Sequence, residues 1–141
     1  MLTRKQEHVF IMTVIYDELN DFVYGNSNNP RDASELILET AKEISGEEEQ
    51  DISAFVKDTV FISLQKYPEI VNAFLPYLKN WKWDRIPSLS RAILIMSYTH
   101  FYYTEKVDKK VVIDIAVDLA KKYVEEKQAK FINAILDGVL K

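Results

Sequence analysis

Three glycines and four prolines are all the conformational punctuation in these 141 residues. A β-sandwich or barrel needs turn residues every ten or so positions, so a chain this poor in them is confined to long helices. Hydrophobic residues make up 48% of the sequence, enough for one compact domain spanning 1–141 to bury most of its apolar surface. The expectation is a single all-α domain.

Periodicity places the helices. Val9, Phe10, Ile15, Leu19, Phe22 and Val23 recur at spacings of three, four and seven, which predicts a first helix from Thr3, its cap, of about five turns. Gly25-Asn26-Ser27-Asn28-Asn29-Pro30 reads as a loop. A second helix is expected from Asp32 or Ser34 to Gly46, through Leu36, Ile37, Ala41 and Ile44. Asp51 is the expected cap of a third, with Ile52, Phe55, Val56, Val60 and Leu64 inward, and a fourth runs through Ile70, Val71 and Phe74 until Pro76 bends or ends it. Ser88 starts a fifth whose residues to Phe101 are almost wholly apolar, which predicts a central position. Asp108 caps a sixth carrying Val112, Ile115, Ala116, Leu119 and Tyr123, and the seventh sets Phe131, Ile132, Ile135, Leu136, Val139 and Leu140 on one stripe.

Composition excludes several kinds of function. The absence of cysteine removes disulfides, thiolate metal sites and a cysteine nucleophile, and fits the cytoplasm. No charge-free apolar run approaches the ~18 residues of a membrane span, and the charges within 1–10 interrupt what a secretion signal needs to be apolar. A net charge of -4 argues against a basic field over the whole molecule, so any nucleic-acid site is expected to be a local patch.

Catalytic constellations are hard to assemble from these residues. His8 and His100 are far apart in sequence, with no carboxylate at metal-binding spacing beside either, and packing or a partner-facing role is the expected one for His100. Asp114 and Asp118 share a helical face and could in principle clamp a metal, but one helix rarely supplies a full oxygen shell, and a solvated charged face is expected. No metal, cofactor or enzymatic activity is assigned. Trp81, Trp83, Tyr98, Tyr102 and Tyr103 form an aromatic group that could stack the bases of single-stranded RNA, but its larger part should be core, while Tyr102 and Tyr103 are expected to be exposed, for RNA or for a protein partner.

Ordered motifs then connect the carboxy-terminal half to a known family. Pro76-Tyr77-Leu78, Trp81, Arg91-Ala92-Ile93-Leu94, Val111 and Ile113 leading to Ala116, Leu119-Ala120-Lys121, Tyr123, and Lys130-Phe131-Ile132-Asn133-Ala134-Ile135-Leu136-Asp137 fall in the order and spacing of the NusB family's motifs. The chain resembles that family from about Pro76 to Val139, and more faintly from Thr3-Arg4-Lys5 to Tyr16. The departures are specific. Gln6 and His8 stand where the family's first turn usually carries further arginines, and the central helix has Ile95 and His100 where the family has Arg and Glu.

The resemblance implies a fold of about seven helices in two packed sub-bundles. It also implies a non-enzymatic transcription antitermination adaptor that binds boxA-type single-stranded RNA together with a NusE-type ribosomal protein and the transcription elongation complex. RNA-facing positions carried over are Arg4, Lys5, Lys130 and Phe131. Tyr16, Tyr102 and Tyr103 are the partner-facing candidates, and pairing into a homodimer is left open. The same fold serves elsewhere as the RNA-binding domain of an rRNA cytosine methyltransferase. This chain has no room for a catalytic domain and is expected to act alone. A second expectation, from the acidic balance and the thinned first turn, is a helical protein-interaction module that keeps the fold while its RNA site has degenerated.

Overall fold

The computed structural model of the chain describes residues 2–23 and 52–141. The expected loop at Gly25–Pro30, the expected second helix and the expected cap Asp51 lie outside these residues. Among the described residues there are six α-helices and no strand: α1 (Arg4–Val23), α2 (Ala54–Gln65), α3 (Tyr67–Phe74), α4 (Ser88–Thr99), α5 (Lys109–Tyr123) and α6 (Glu126–Val139).

Local chemistry sets most helix ends. Ser53, not Asp51, caps α2, its hydroxyl accepting from the Val56 N–H at 3.3 Å. Pro68 sits in the first turn of α3, where its missing N–H leaves no gap in the ladder, and the chain tightens into a 3-10 turn at Leu75–Tyr77 around Pro76. Asp108 occupies the cap position of α5 without a side-chain capping bond. Beyond Thr99, α4 widens into a π turn over His100–Thr104, whose last residues give way to extended backbone at Glu105.

As its apolar sequence predicts, α4 is central. Every residue from Ser90 to Ser97 is buried, and Ile93, Leu94 and Ile95 are fully so. Around it the packing falls into two groups: α1 with α2 on one side, and α5 with α6, joined by Val124 and Glu125, on the other. The helices share one apolar cluster that runs from Phe10 and Ile15 through Val56 and Phe74 to Ile132 and Leu136. Two polar rungs fix how α2 faces α4 and its π turn: Ser63 donates to Thr99 at 2.7 Å and Thr59 to Thr104 at 3.2 Å. Gly138 is a point of close approach, because a Cβ there would lie 2.9 Å from the Tyr77 ring.

This packing predicts an unequal response to truncation. Leu94→Ala, at a fully buried position, is expected to lower unfolding free energy by roughly 2–5 kcal/mol. Phe61→Ala, where the ring is 52% exposed, should change it by less than about 0.5 kcal/mol. Denaturant melts of the two variants check this contrast.

Candidate functional site

Thr3 opens α1 with a capping box: its Oγ1 accepts from the Gln6 N–H at 3.2 Å, and Gln6 Oε1 accepts from the Thr3 N–H at 2.8 Å. The box fixes the first turn, which carries Arg4 and Lys5. The Arg4 guanidinium lies 3.9 Å over the Phe55 ring, pairs with Glu7 at 3.3 Å, and pairs also with Glu105 beyond the π turn. Glu105 in turn holds His100 Nε2 at 2.8 Å. Glu7 accepts from the Ser53 hydroxyl, the same group that caps α2. One guanidinium and two carboxylates therefore tie together the start of α1, the start of α2 and the end of α4.

Beneath this network two histidines meet. The His8 ring is 3% exposed and lies 5.4 Å from His100 and 5.6 Å from Phe55, centre to centre, with neither ring nitrogen hydrogen-bonded among the described residues. Burial, with His100 and Arg4 adding positive charge nearby, lowers the His8 pKa to about 4 against a smaller upward pull from Glu105. Burial also lowers that of His100, opposed by its hydrogen bond to Glu105. Both rings are thus neutral at pH 7, and His100 is packed, as its sequence setting suggests.

Two clefts flank the connection between α5 and α6. The first, about 220 Å³, opens between the first turn of α1 and the last turns of α5. Arg4, Lys5 and His8 line one wall, Asp118, Lys122 and Tyr123 the other, over an apolar floor that includes Val9 and Leu119. The second, about 210 Å³, lies between the start of α6 and the chain entering α4, lined by Trp81, Ile86, Pro87, Lys127, Gln128 and Phe131. Trp81 and Phe131 meet there at 5.9 Å between ring centres, tilted by 56°.

Arg4 and Lys5 are therefore together in one cleft and Phe131 in the other, with Lys130 exposed beside it on α6. Neither of these two clefts holds all four RNA-facing candidates, and only Val124 to Glu126 separate the lining residues Tyr123 and Lys127. Phe131 is half-buried, packed against the core with its ring also in the cleft. Sequence reasoning missed Lys122 and Lys127 as cleft residues and named Trp81 only within the aromatic group. The signal available was two lysine-bearing helix turns facing each other across a very short connection.

Of the partner-facing candidates, Tyr102 and Tyr103 are exposed, and Tyr98 touches both rings. The Tyr102 hydroxyl donates to the Val139 carbonyl and accepts from the Lys141 N–H, each at 3.0 Å, so its polar end is spent on the end of α6 while its face is open. Tyr16 is half-buried against the core. The rest of the aromatic group departs from the expectation that most of it is core: Trp83 is buried, stacked on Phe74 and donating to the Tyr67 hydroxyl at 3.0 Å, whereas Trp81 is exposed like Tyr102 and Tyr103, because it lies on the connection before α4 and not on a helix face turned inward. Asp114 and Asp118 are exposed, and among the described residues no three His, Asp or Glu side chains gather as metal ligands would. No described helix is long and apolar enough to cross a membrane.

Fold and clefts define an all-helical protein whose grooves combine cations with aromatic faces. The chain belongs to the NusB family, whose profile matches residues 16–141. A transcription antitermination protein NusB of Halalkalibacterium halodurans is 30% identical over 109 residues, covering 77% of this chain and 81% of the relative. Among solved structures, T. maritima NusB superposes with a TM-score of 0.80 over 99% of this chain and 91% of its own, at 18% identity, a likeness of fold. A chain in the crystal structure of a plectonemic RNA supercoil superposes at 0.78, over 99% of this chain and 94% of its own, and is 26% identical.

The histidine pair makes stability depend on pH. Both rings are neutral in the fold and bind protons more readily when unfolded, near the ordinary value of about 6.5. Stability is therefore fully present above that pH and is lost as pH falls toward 4, at up to roughly 1.4 kcal/mol per unit for His8. Denaturant midpoints measured between pH 7.5 and 4.5 should fall less steeply for His8→Leu than for the unaltered chain.

Proposed function

We propose that this chain is a transcription antitermination adaptor that binds boxA-type single-stranded RNA together with a NusE-type ribosomal protein in the cytoplasm, and that it catalyses no reaction. The observation that carries the RNA half is the row of cations along the two clefts: Arg4, Lys5 and Lys122 on the first, Lys127 on the second and Lys130 beside it. Phosphates lie along this row, and the start of each helix adds unpaired backbone amides that favour anions. The aromatic faces offer stacking to bases, which single-stranded RNA alone presents freely. Family membership, the name of the Halalkalibacterium relative and the RNA-containing structural neighbour support the reading. The exposed Tyr102 and Tyr103 faces, with Tyr16, are the surface assigned to the protein partner.

A specific observation favours a second reading, a protein-interaction module whose RNA site has degenerated. Arg4 is engaged by two carboxylates and a ring, which leaves less of its charge for phosphate than a free arginine would offer. Binding measured at two salt concentrations separates the readings. With the ribosomal partner present, boxA-type RNA should bind more tightly than a scrambled sequence, and Lys5→Ala and Lys122→Ala should each reduce the salt slope by about 0.7. Equal affinity for the two RNAs, with a nuclease-resistant protein partner recovered, would establish the second reading instead.

A further inference from the structure

The three cations of the first cleft are balanced by three carboxylates. Arg4, Lys5 and Lys122 line it together with Asp118, and Arg4 is paired with Glu7 and Glu105. With His8 and His100 neutral at pH 7, the lining and this network together carry no net charge, so a polyanion gains little there from the field as a whole. Attraction for phosphate then depends on which ion is free to change partner. The Arg4 side chain is 48% exposed, with Nη1 paired to Glu7, Nη2 paired to Glu105 and its face on Phe55. Its two carboxylates are not held alike. Glu7 is 11% exposed and accepts from the Ser53 hydroxyl that caps α2, so withdrawing it would disturb a helix start. Glu105 is 33% exposed and stands on extended backbone between the π turn and α5, outside any helix. The His100 Nε2 lies 2.8 Å from its carboxylate, so a Glu105 that leaves Arg4 still has a partner.

We infer that Glu105 is a built-in competitor of RNA for Arg4: in the free chain the pair occupies the arginine, and an incoming phosphate takes Arg4 while Glu105 stays with His100. This deepens the RNA-binding reading above and rests on it. The exchange is physically cheap. A partly exposed ion pair contributes little, and a guanidinium pairs with phosphate by the same forked geometry it uses for a carboxylate. Glu105 therefore sets how much Arg4 is worth to RNA. In the unaltered chain the phosphate contact is offset by the lost pair and by a carboxylate left close to the strand. Once the Glu105 charge is removed, Arg4 becomes an ordinary phosphate contact.

The test measures boxA-type RNA binding at two salt concentrations, with the ribosomal partner present, for the full unaltered chain, Glu105→Gln, Arg4→Ala and the double variant. Glu105→Gln removes the charge and keeps a hydrogen-bonding side chain beside His100. It should tighten binding on the order of fivefold at low salt, the worth of a surface ion pair, and steepen the salt slope by about 0.7. Arg4→Ala should cost less in the unaltered chain than in the Glu105→Gln background, where it should cancel both gains. A measurement without any substitution covers the case of a variant that folds poorly: the Arg4 side-chain N–H signal in NMR should move when RNA is added to the partner-bound chain. Unchanged or weaker binding by folded Glu105→Gln would overturn the inference and leave the RNA-binding reading standing. So would a gain that survives Arg4→Ala, or an Arg4 signal unmoved by bound RNA. Failure of all four chains to prefer boxA-type RNA over a scrambled sequence removes both readings together.

Discussion

The Arg4 guanidinium is held in three ways, by the Phe55 face, by Glu7 and by Glu105, and the arrangement of the first cleft follows from that. Each pair is partly exposed and contributes little alone. Their value lies in what they join. Glu7 reaches the Ser53 cap of α2, and Glu105 reaches buried His100, so the first turn of α1 is fixed relative to the elements flanking it. Lys5 is thereby held on one wall of a cleft whose opposite wall is α5. The same contacts divert charge from Arg4, which moves the electrostatic weight of the surface toward Lys5, Lys122, Lys127 and Lys130.

The fold was largely legible in the sequence. Scarcity of turn residues, the apolar run in α4 and most of the stripes in α5 and α6 correspond to the buried positions observed, because helix periodicity and burial are two views of one geometry; Tyr123, expected on the α5 stripe, is exposed at the end of that helix, where no neighbour among the described residues covers it. The cap of α2 was misplaced because Asp51 and Ser53 are both good capping residues, and the choice depends on Glu7, which lies 46 positions away. Asp108 shows the complementary limit: the position was legible, but the side-chain bond is absent.

The candidate site was legible in parts. Arg4, Lys5, Lys130 and Phe131 came from motif positions, yet a motif says nothing of which residues share a cleft. Trp81 and Gln128 acquire their setting from Phe131 and Ser90, contacts made through tertiary packing. The family departures at His8 and His100 looked unrelated in sequence, and the structure makes them neighbours.

On the proposed RNA-binding reading, the two clefts on either side of one short connection form a single track, running from the first turn of α1 across the end of α5 to the start of α6 and Trp81. Helix-initial amides lack intrahelical partners and exchange quickly with solvent unless something covers them. Amide hydrogen exchange with boxA-type RNA and the ribosomal partner bound is therefore the most direct measurement. The account predicts slowed exchange in both first turns, those of α1 and α6, relative to the chain with the partner alone. Protection confined to one of them, or absent from both while RNA is bound, would contradict it.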